Sequence, residues 1–189
     1  GYCFTAPKVA RNNKPSMKVH LEPLTQETLV EYINIGRQSY HEHYLHLWEN
    51  RDPTPYISRS FTEEVVLADF KNPNLRHFLV KLEDKTAGIV KLVVDSPLDE
   101  HTPDVSLLAQ KIYLLKAYSG KGLGKKVLQL IEGYAKRLGK KILWLDTMQK
   151  GGPIKFYLKQ GFQIKKESEL KIPGAIASEK PMWVLTKQL

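Results

Sequence analysis

The sequence predicts one α/β domain, of the α+β kind, in which helices cover the faces of a mixed β-sheet. Alternating apolar and polar residues over 78–94 and 107–115 are typical of strands, and an apolar stripe over 123–138 is typical of an amphipathic helix. At 189 residues the chain is long enough for one domain with its own core. No apolar run approaches the ~20 residues that span a bilayer.

The elements are predicted in the order β-α-α-β-β-β-α-β-α-β-β. Residues 1–16 are predicted to be an N-terminal extension, and residues 17–189 the folded domain. The first three elements are a strand within residues 14–23, a helix from Glu27 into the aromatic, histidine-rich run 40–48, and a helix over 61–70. Residues 51–55 contain two prolines and are predicted to be a loop.

The second half of the chain supplies most of the sheet. Residues 83–86 have turn chemistry between two strand patterns, which predicts a hairpin. Strict alternation in the following strand places Leu107, Ala109, Lys111, Tyr113 and Leu115 on one face. The remaining predicted elements are a helix over 123–138 that Gly139 ends, a strand over 142–145, a helix over 153–160, and strands over 161–165 and 182–185.

The positive charge is concentrated in one segment. The net charge is +9, and residues 111–171 contain 15 Lys and Arg against four acids, whereas the rest of the chain contains 14 against 16. Such asymmetry favours an anionic partner, either a nucleic acid or a phosphorylated small molecule. The single cysteine excludes an internal disulfide and favours a reducing, cytoplasmic compartment.

A glycine-rich turn lies inside this basic segment, between a predicted strand and a predicted helix. Gly120, Gly122 and Gly124 alternate with other residues there. Glycine lets a ligand approach backbone N–H groups, and a helix N-terminus attracts anions, so this turn is a candidate phosphate site. Neither the Gly-Lys-Ser/Thr of a Walker A loop nor the Gly-x-Gly-x-x-Gly dinucleotide motif is present at the turn.

Two motifs together resemble the GNAT superfamily of N-acetyltransferases, and loosely its polyamine acetyltransferase branch. Residues 119–124 (Ser-Gly-Lys-Gly-Leu-Gly) resemble its acetyl-CoA loop, Arg/Gln-x-x-Gly-x-Gly/Ala, apart from the serine at the first position. Residues 156–162 (Phe-Tyr-Leu-Lys-Gln-Gly-Phe) resemble its helix-to-strand motif. The resemblance implies a central, mostly antiparallel sheet of about seven strands flanked by about four helices.

The resemblance also implies how the site works. The pyrophosphate of acetyl-CoA would lie on the N–H groups of the turn, and the pantetheine along the strand before it. The implied cofactor-binding residues are Tyr113, Leu114, Leu115, Ser119, Gly120, Lys121, Gly122, Leu123, Gly124 and Lys125. Tyr157 matches the position of the family's general acid, and a phenol can protonate a departing thiolate. Phe156 and Phe162 are expected in the core.

The general base is left open. Residues 105–118 contain no Asp or Glu, so the candidates are Asp146, Glu42, a nearby histidine, or bulk water. His41, His43 and His46 lack the partners of a metal shell, so no metal is expected. The run 40–48 is predicted either to form an aromatic wall of the acceptor pocket or simply to pack on the sheet.

These observations predict an N-acetyltransferase that transfers an acetyl group from acetyl-CoA to a primary amine of a small molecule or peptide. The amine would attack directly within a ternary complex. An alternative is a non-catalytic module that binds acyl-CoA as a sensor. Nucleic-acid binding is disfavoured because exposed aromatics do not interleave with the basic residues. No membrane partner is expected, and the sequence leaves homodimer formation open.

Overall fold

The computed structural model describes residues 17–189, and the predicted extension over residues 1–16 lies outside them. One seven-stranded sheet has the order β1-β2-β3-β4-β5-β7-β6. All neighbouring strands are antiparallel except β4 and β5, which confirms the predicted mixed, mostly antiparallel sheet. The strands are β1 (Val19–Pro23), β2 (Leu75–Leu82), β3 (Lys85–Val93), β4 (Ser106–Leu114), β5 (Ile142–Met148), β6 (Gln163–Glu169) and β7 (Pro181–Gln188).

Helices cover both faces of this sheet. They are α1 (Leu29–Tyr44), α2 (Thr54–Ser60), α3 (Glu63–Phe70), α4 (Leu123–Arg137) and α5 (Gly152–Lys159). The sequence prediction missed α2, because the proline-rich run 51–55 was assigned to a loop. The Asp52 carboxylate accepts a hydrogen bond from the Thr54 N–H at 3.0 Å, and Pro55 occupies the first turn, where its missing N–H costs nothing.

The two faces have separate cores. Helix α4 buries one stripe against the sheet, formed by Leu123, Val127, Leu128, Ile131 and Ala135. Helix α5 packs on this same face through Ile154, and Phe162 is buried beside it as expected. Helices α1 and α3 cover the opposite face, where Tyr32, Phe61 and Val66 meet the sheet. We refer to the two faces as the α4 face and the α1 face.

A β-bulge in β4 changes which side chains face α1. Lys91 of β3 is opposite Lys111, but Leu92 is opposite Ala109, so Gln110 is an extra residue in β4. Leu107 and Ala109 therefore lie in the core of the α4 face, whereas Tyr113 packs on the α1 face. The prediction that all the odd-numbered residues of this strand share one face is wrong beyond Ala109, because strict alternation takes no account of a bulge.

Strands β4 and β5 separate soon after they begin. Only Ser106, Leu107 and Leu108 pair with β5. Beyond Leu108 the edge of β4 has no strand beside it, and a gap opens between β4 and β5. The Leu115 N–H donates to the Ala87 carbonyl of β3. Since the backbone groups of successive residues in a strand point to opposite sides, those of Ile112 and Leu114 point into this gap.

Within residues 17–189, no helix has the length and apolar character needed to cross a membrane.

Candidate active site

The glycine turn presents a run of free backbone donors. Gly120 and Gly122 have φ angles of +76° and +78°, and a Cβ built on either would meet no atom within 4 Å. The first N–H of α4 with a backbone partner is that of Lys126, which donates to Gly122 at 3.2 Å. Within the described chain, the six N–H groups of residues 120–125 thus have no backbone acceptor. They lie at the positive end of a 15-residue helix, which is an anion-binding arrangement.

The third glycine of the turn serves a different purpose. A Cβ on Gly124 would lie 3.3 Å from Cζ of Phe156, so the absence of a side chain lets α4 and α5 approach closely. Phe156 precedes Tyr157 in α5. Gly124 therefore positions the candidate acid beside the turn, and Leu123, whose side chain is buried in the core of the α4 face, anchors the helix start.

Unpaired lysines surround the turn. Lys121, Lys125 and Lys126 are exposed and line a cavity of about 270 Å³ together with Met17, Gly122 and Gln129. None of the three has a carboxylate within 4 Å among residues 17–189. Elsewhere in the basic segment, Lys140, Lys165 and Lys166 are paired with acids of the loop after β3. Three lysines without a paired acid thus lie beside the turn.

The structure separates the predicted pantetheine residues into two groups. Leu114 presents its backbone to the gap between β4 and β5, whereas the backbones of Tyr113 and Leu115 face β3. Ile112, which the sequence prediction omitted, also faces the gap. The Ser119 hydroxyl donates to the Lys116 carbonyl at 2.7 Å and is used within the turn itself.

Tyr157 lies on α5 with its ring between two phenylalanines. Its ring centroid is 5.3 Å from that of Phe156 and 5.6 Å from that of Phe162. Burial raises the pKa of the Tyr157 phenol above its ordinary value, and repulsion from a charge on Tyr44 adds to this effect. The hydroxyl therefore keeps its proton at neutral pH and is able to donate it.

Four tyrosines, Tyr40, Tyr44, Tyr56 and Tyr113, form a tyrosine cluster on the α1 face. The hydroxyls of Tyr56 and Tyr113 lie 2.5 Å apart, and the ring of Tyr40 stacks on that of Tyr56 at 4.1 Å. Tyr44 packs against Tyr113 with ring centroids 5.6 Å apart. Burial raises the pKa of every phenol in the cluster, that of Tyr56 to about 12, so the cluster is neutral. The sequence prediction missed Tyr56, since no local pattern marks it.

The end of α1 is fixed to the end of β4. The Glu42 carboxylate accepts a hydrogen bond from the Lys116 N–H at 3.2 Å, and the His43 Nε2–H donates to the Leu114 carbonyl at 2.8 Å. Trp48 is fully buried and donates to the Tyr40 hydroxyl at 2.9 Å. Within the run 40–48, Tyr40 and Trp48 are thus buried in the core, and Tyr40 and Tyr44 both belong to the tyrosine cluster.

The candidate bases differ in their surroundings. Glu42 and His43 are bonded to the backbone of β4 and its end, and the His41 Nδ1–H donates to the Arg37 carbonyl at 2.8 Å. Asp146 lies on β5, where desolvation raises the pKa of its carboxyl and Lys166 opposes that effect. Among residues 17–189 there is no group of three His, Cys, Asp or Glu that could hold a metal ion.

Comparison with known proteins is consistent with this geometry. The acetyltransferase (GNAT) family matches residues 37–162. An uncharacterized N-acetyltransferase of Lactobacillus delbrueckii subsp. lactis is 24% identical over 144 residues, covering 76% of this chain and 83% of that protein.

Two solved structures share the fold at low sequence identity. The PaiA N-acetyltransferase of Thermoplasma acidophilum, in complex with coenzyme A, superposes with a TM-score of 0.72 at 17% identity, covering 92% of this chain and all of that one. The spermidine/spermine N-acetyltransferase SpeG of Vibrio cholerae has a TM-score of 0.64 at 16% identity, covering 90% and 92% of the two chains.

The family match spans two thirds of the chain and includes both motifs, the glycine turn and the start of the helix-to-strand segment. The same turn follows β4, the strand with the free edge, along the chain. The predicted enzyme class is confirmed: the chain is an acetyltransferase that belongs to the GNAT family.

Proposed function

We propose that the enzyme takes its acetyl group from acetyl-CoA and transfers it to a primary amine of a small molecule or peptide. One observation carries this proposal. Six consecutive N–H groups without a backbone acceptor, flanked by three unpaired lysines, lie between the end of β4 and the start of α4. Further support comes from fold neighbours described with coenzyme A or acetyl-CoA, the latter a GNAT acetyltransferase of Elizabethkingia anophelis.

The charges fit a diphosphate at the turn. Hydrogen bonds from backbone N–H groups to an ionised acceptor are each worth ~1.5–3 kcal/mol, and the helix dipole adds up to ~2 kcal/mol. Four or five such contacts would hold the pyrophosphate of acetyl-CoA. The pantetheine would then run along the free edge of β4, where the backbone of Ile112 and the N–H of Leu114 face the gap, while the Leu114 carbonyl already accepts from His43.

The chemistry would follow from these positions. The amine nitrogen attacks the thioester carbonyl carbon, and the backbone N–H groups in the gap stabilise the negative charge that develops on its oxygen. The carbon–sulfur bond then breaks, and Tyr157 donates its proton to the departing sulfur. A buried phenol suits this role because it is fully protonated before the step.

The acceptor would approach from the α1 face, where the tyrosine cluster lies. The cluster offers aromatic faces and neutral hydroxyls, which can contact an alkyl ammonium group through cation–π interactions or hydrogen bonds. Polyamines, amino acids and peptides with a free amine are the classes to compare.

The experiment has two stages. Isothermal titration calorimetry with coenzyme A measures cofactor binding, and release of free thiol from acetyl-CoA with a panel of amines measures turnover. We expect both to be positive. Binding without turnover would favour the acyl-CoA sensor, and no heat with coenzyme A would overturn the cofactor assignment. A DNA complex that dissociates with salt would instead favour the nucleic-acid interpretation.

A further inference from the structure

Asp146 of β5 projects from the same face of the sheet as the tyrosine cluster. It is opposite Val184 of β7, which in turn is opposite Lys166 of β6. The next residues along β5 and β7, Leu145 and Leu185, are in the core of the α4 face. Because successive side chains of a strand alternate between the two faces, the Asp146 carboxylate lies on the α1 face.

This carboxylate is accessible to water but has no partner of opposite charge. Among residues 17–189, no Lys, Arg or His lies within 4 Å of it. Lys166, the cation that influences it, pairs with Asp99 at 2.7 Å. Asp146 is exposed, yet the protein atoms around it remove part of its hydration and raise the pKa of its carboxyl. A cationic ligand would restore the interactions that it lacks.

Asp146 lies where the gap between β4 and β5 begins to open. The last pair of these strands joins Leu108 to Trp144, and Asp146 is two residues further along β5. A ligand that takes the place of a strand in the gap would lie about 4.8 Å from β5. An amine that attacks a thioester in the gap from the α1 face therefore has Asp146 within the length of a short alkyl chain.

The same face of β5 also reaches the tyrosine cluster. Met148 is the next residue of β5 on this face. Met148 packs against the buried group that contains Tyr40, and Tyr44 and Tyr113 pack against that group as well. The unpaired carboxylate of Asp146 is thus followed along the strand by apolar and aromatic side chains, which suit an alkyl chain that carries a cation.

We propose that Asp146 selects the acceptor by binding a second ammonium group, so that the enzyme prefers diamines and polyamines to amines that carry a carboxylate. This inference rests on the proposed function, because it names the class of amine that the same site takes. The bound ammonium is not the reacting one, since a carboxylate beside the reacting nitrogen would favour its protonated form, which cannot attack the thioester. Asp146 therefore determines specificity and is not the base.

The test uses acceptors that differ in their terminal group. Diamines with three to six methylenes are compared with alkylamines of the same length, and 4-aminobutanoate supplies a terminal carboxylate. Release of free thiol from acetyl-CoA gives kcat/KM for each acceptor. In the wild-type enzyme, kcat/KM for the best diamine should exceed that for its alkylamine by at least about tenfold, and 4-aminobutanoate should be the poorest acceptor.

Asp146→Asn keeps the shape of the side chain and removes its charge. We expect kcat/KM for the best diamine to fall by about tenfold or more, whereas the value for the matched alkylamine should change by less than about twofold. The discrimination against 4-aminobutanoate should shrink. The melting temperature checks that the variant folds, and we expect little change because Asp146 is exposed and has no paired cation.

Glu167→Gln is the matched control variant. Glu167 is also an exposed acid of the sheet, but it is opposite Trp183, which packs on the α4 face. Removal of its charge alters the net charge by the same amount on the other face. The ratios between diamine, alkylamine and 4-aminobutanoate should therefore stay as they are in the wild-type enzyme.

Three results would overturn the proposal and leave the proposed function intact. An equal fall in kcat/KM for diamine and alkylamine in Asp146→Asn would mean that Asp146 acts on the reacting nitrogen. A preference for diamines that survives in Asp146→Asn would assign the second ammonium to another group. A wild-type enzyme without any preference for diamines would show that no such subsite exists. A wild-type enzyme that releases no thiol with any amine refutes the proposed function itself, whether or not it binds coenzyme A.

Discussion

The two sides of the gap between β4 and β5 are built from different chemistry. At the glycine turn the exposed groups are backbone N–H groups and unpaired lysines. On the α1 face of strands β1–β4 the polar groups are buried, namely neutral phenols and the amine of Lys111, and burial lowers the pKa of that amine. The first side is charged and open to water, whereas the second is uncharged and largely closed.

Under the proposed function, the two sides would have separate tasks. The charged diphosphate of acetyl-CoA is the same for every acceptor substrate. A site made of backbone N–H groups can therefore bind it regardless of which amine is acetylated. Proton transfer requires groups that hold or lose a proton near neutral pH, and burial supplies the necessary pKa shifts. The glycine turn should therefore be sensitive to backbone conformation, and the buried phenols, including Tyr157 of α5, to the loss of single polar atoms.

Removal of one oxygen should have the largest effect. We expect Tyr157→Phe to lower kcat by about 100-fold or more, because the departing thiolate loses its proton donor. The affinity for coenzyme A should change little, since the ring still packs between Phe156 and Phe162. Steady-state thiol release and calorimetry measure the two effects, and an unchanged kcat would mean that another group is the acid.

The role of the glycine turn can be tested with two glycines that have the same backbone conformation. Gly122 and Gly139 flank α4, both have φ of +78°, and neither position is crowded. Valine at either position should cost about 1–2 kcal/mol of stability, because a left-handed backbone disfavours a side chain. Only Gly122→Val should also weaken coenzyme A binding, by at least about tenfold. Equal affinities of the two variants by calorimetry would place the diphosphate elsewhere.

A third comparison concerns the packing beneath the α1 face. A Cβ on Gly36 of α1 would collide with the ring of Phe61, whereas a Cβ on Gly133 of α4 would meet only the flexible end of Arg137 at 3.4 Å. Gly36→Ala should destabilise the protein by about 1–3 kcal/mol through overpacking. Gly133→Ala should stabilise it by up to about 1 kcal/mol through helix propensity. Denaturant unfolding measures both values, and a Gly36→Ala protein as stable as Gly133→Ala would show that the ring of Phe61 can move aside.

The smallest effect should come from the exposed lysines. Lys125→Gln combined with Lys126→Gln should weaken coenzyme A binding several-fold, because solvent-exposed charges contribute only about 0.2–1 kcal/mol each. The loss should shrink as salt is added, since salt screens these charges over about 10 Å at 0.1 M. A salt-independent loss would indicate direct phosphate contacts instead of long-range attraction.

Local patterns in the sequence predicted the strands, the long helix and the glycine turn. Helix α4 was predictable because its buried residues recur at helical spacing, and the turn because three glycines precede that helix. The cofactor side of the site depends on neighbouring residues in the chain. Its prediction therefore requires only local patterns in the sequence.

The α1 face was harder to predict, because its contacts join distant segments. Tyr56 meets Tyr113 across 57 positions, and it does so from a helix whose prolines resemble a loop. Lys111 turns towards Tyr56 and Phe61 because Gln110 is a bulge, and a bulge has no sequence signature here. Its burial, and hence its shifted pKa, follows from tertiary packing alone.

The short parallel contact between β4 and β5 has a mechanical consequence. Strands β1–β4 are joined to strands β5–β7 by only three residue pairs between β4 and β5. Acetyl-CoA bound in the gap would take the place of a strand beside β4. The sheet would therefore gain and lose a hydrogen-bonded neighbour of β4 in each catalytic cycle. The amides of Ile112 and Leu114 should then exchange hydrogen slowly while the carrier is bound and quickly once it departs.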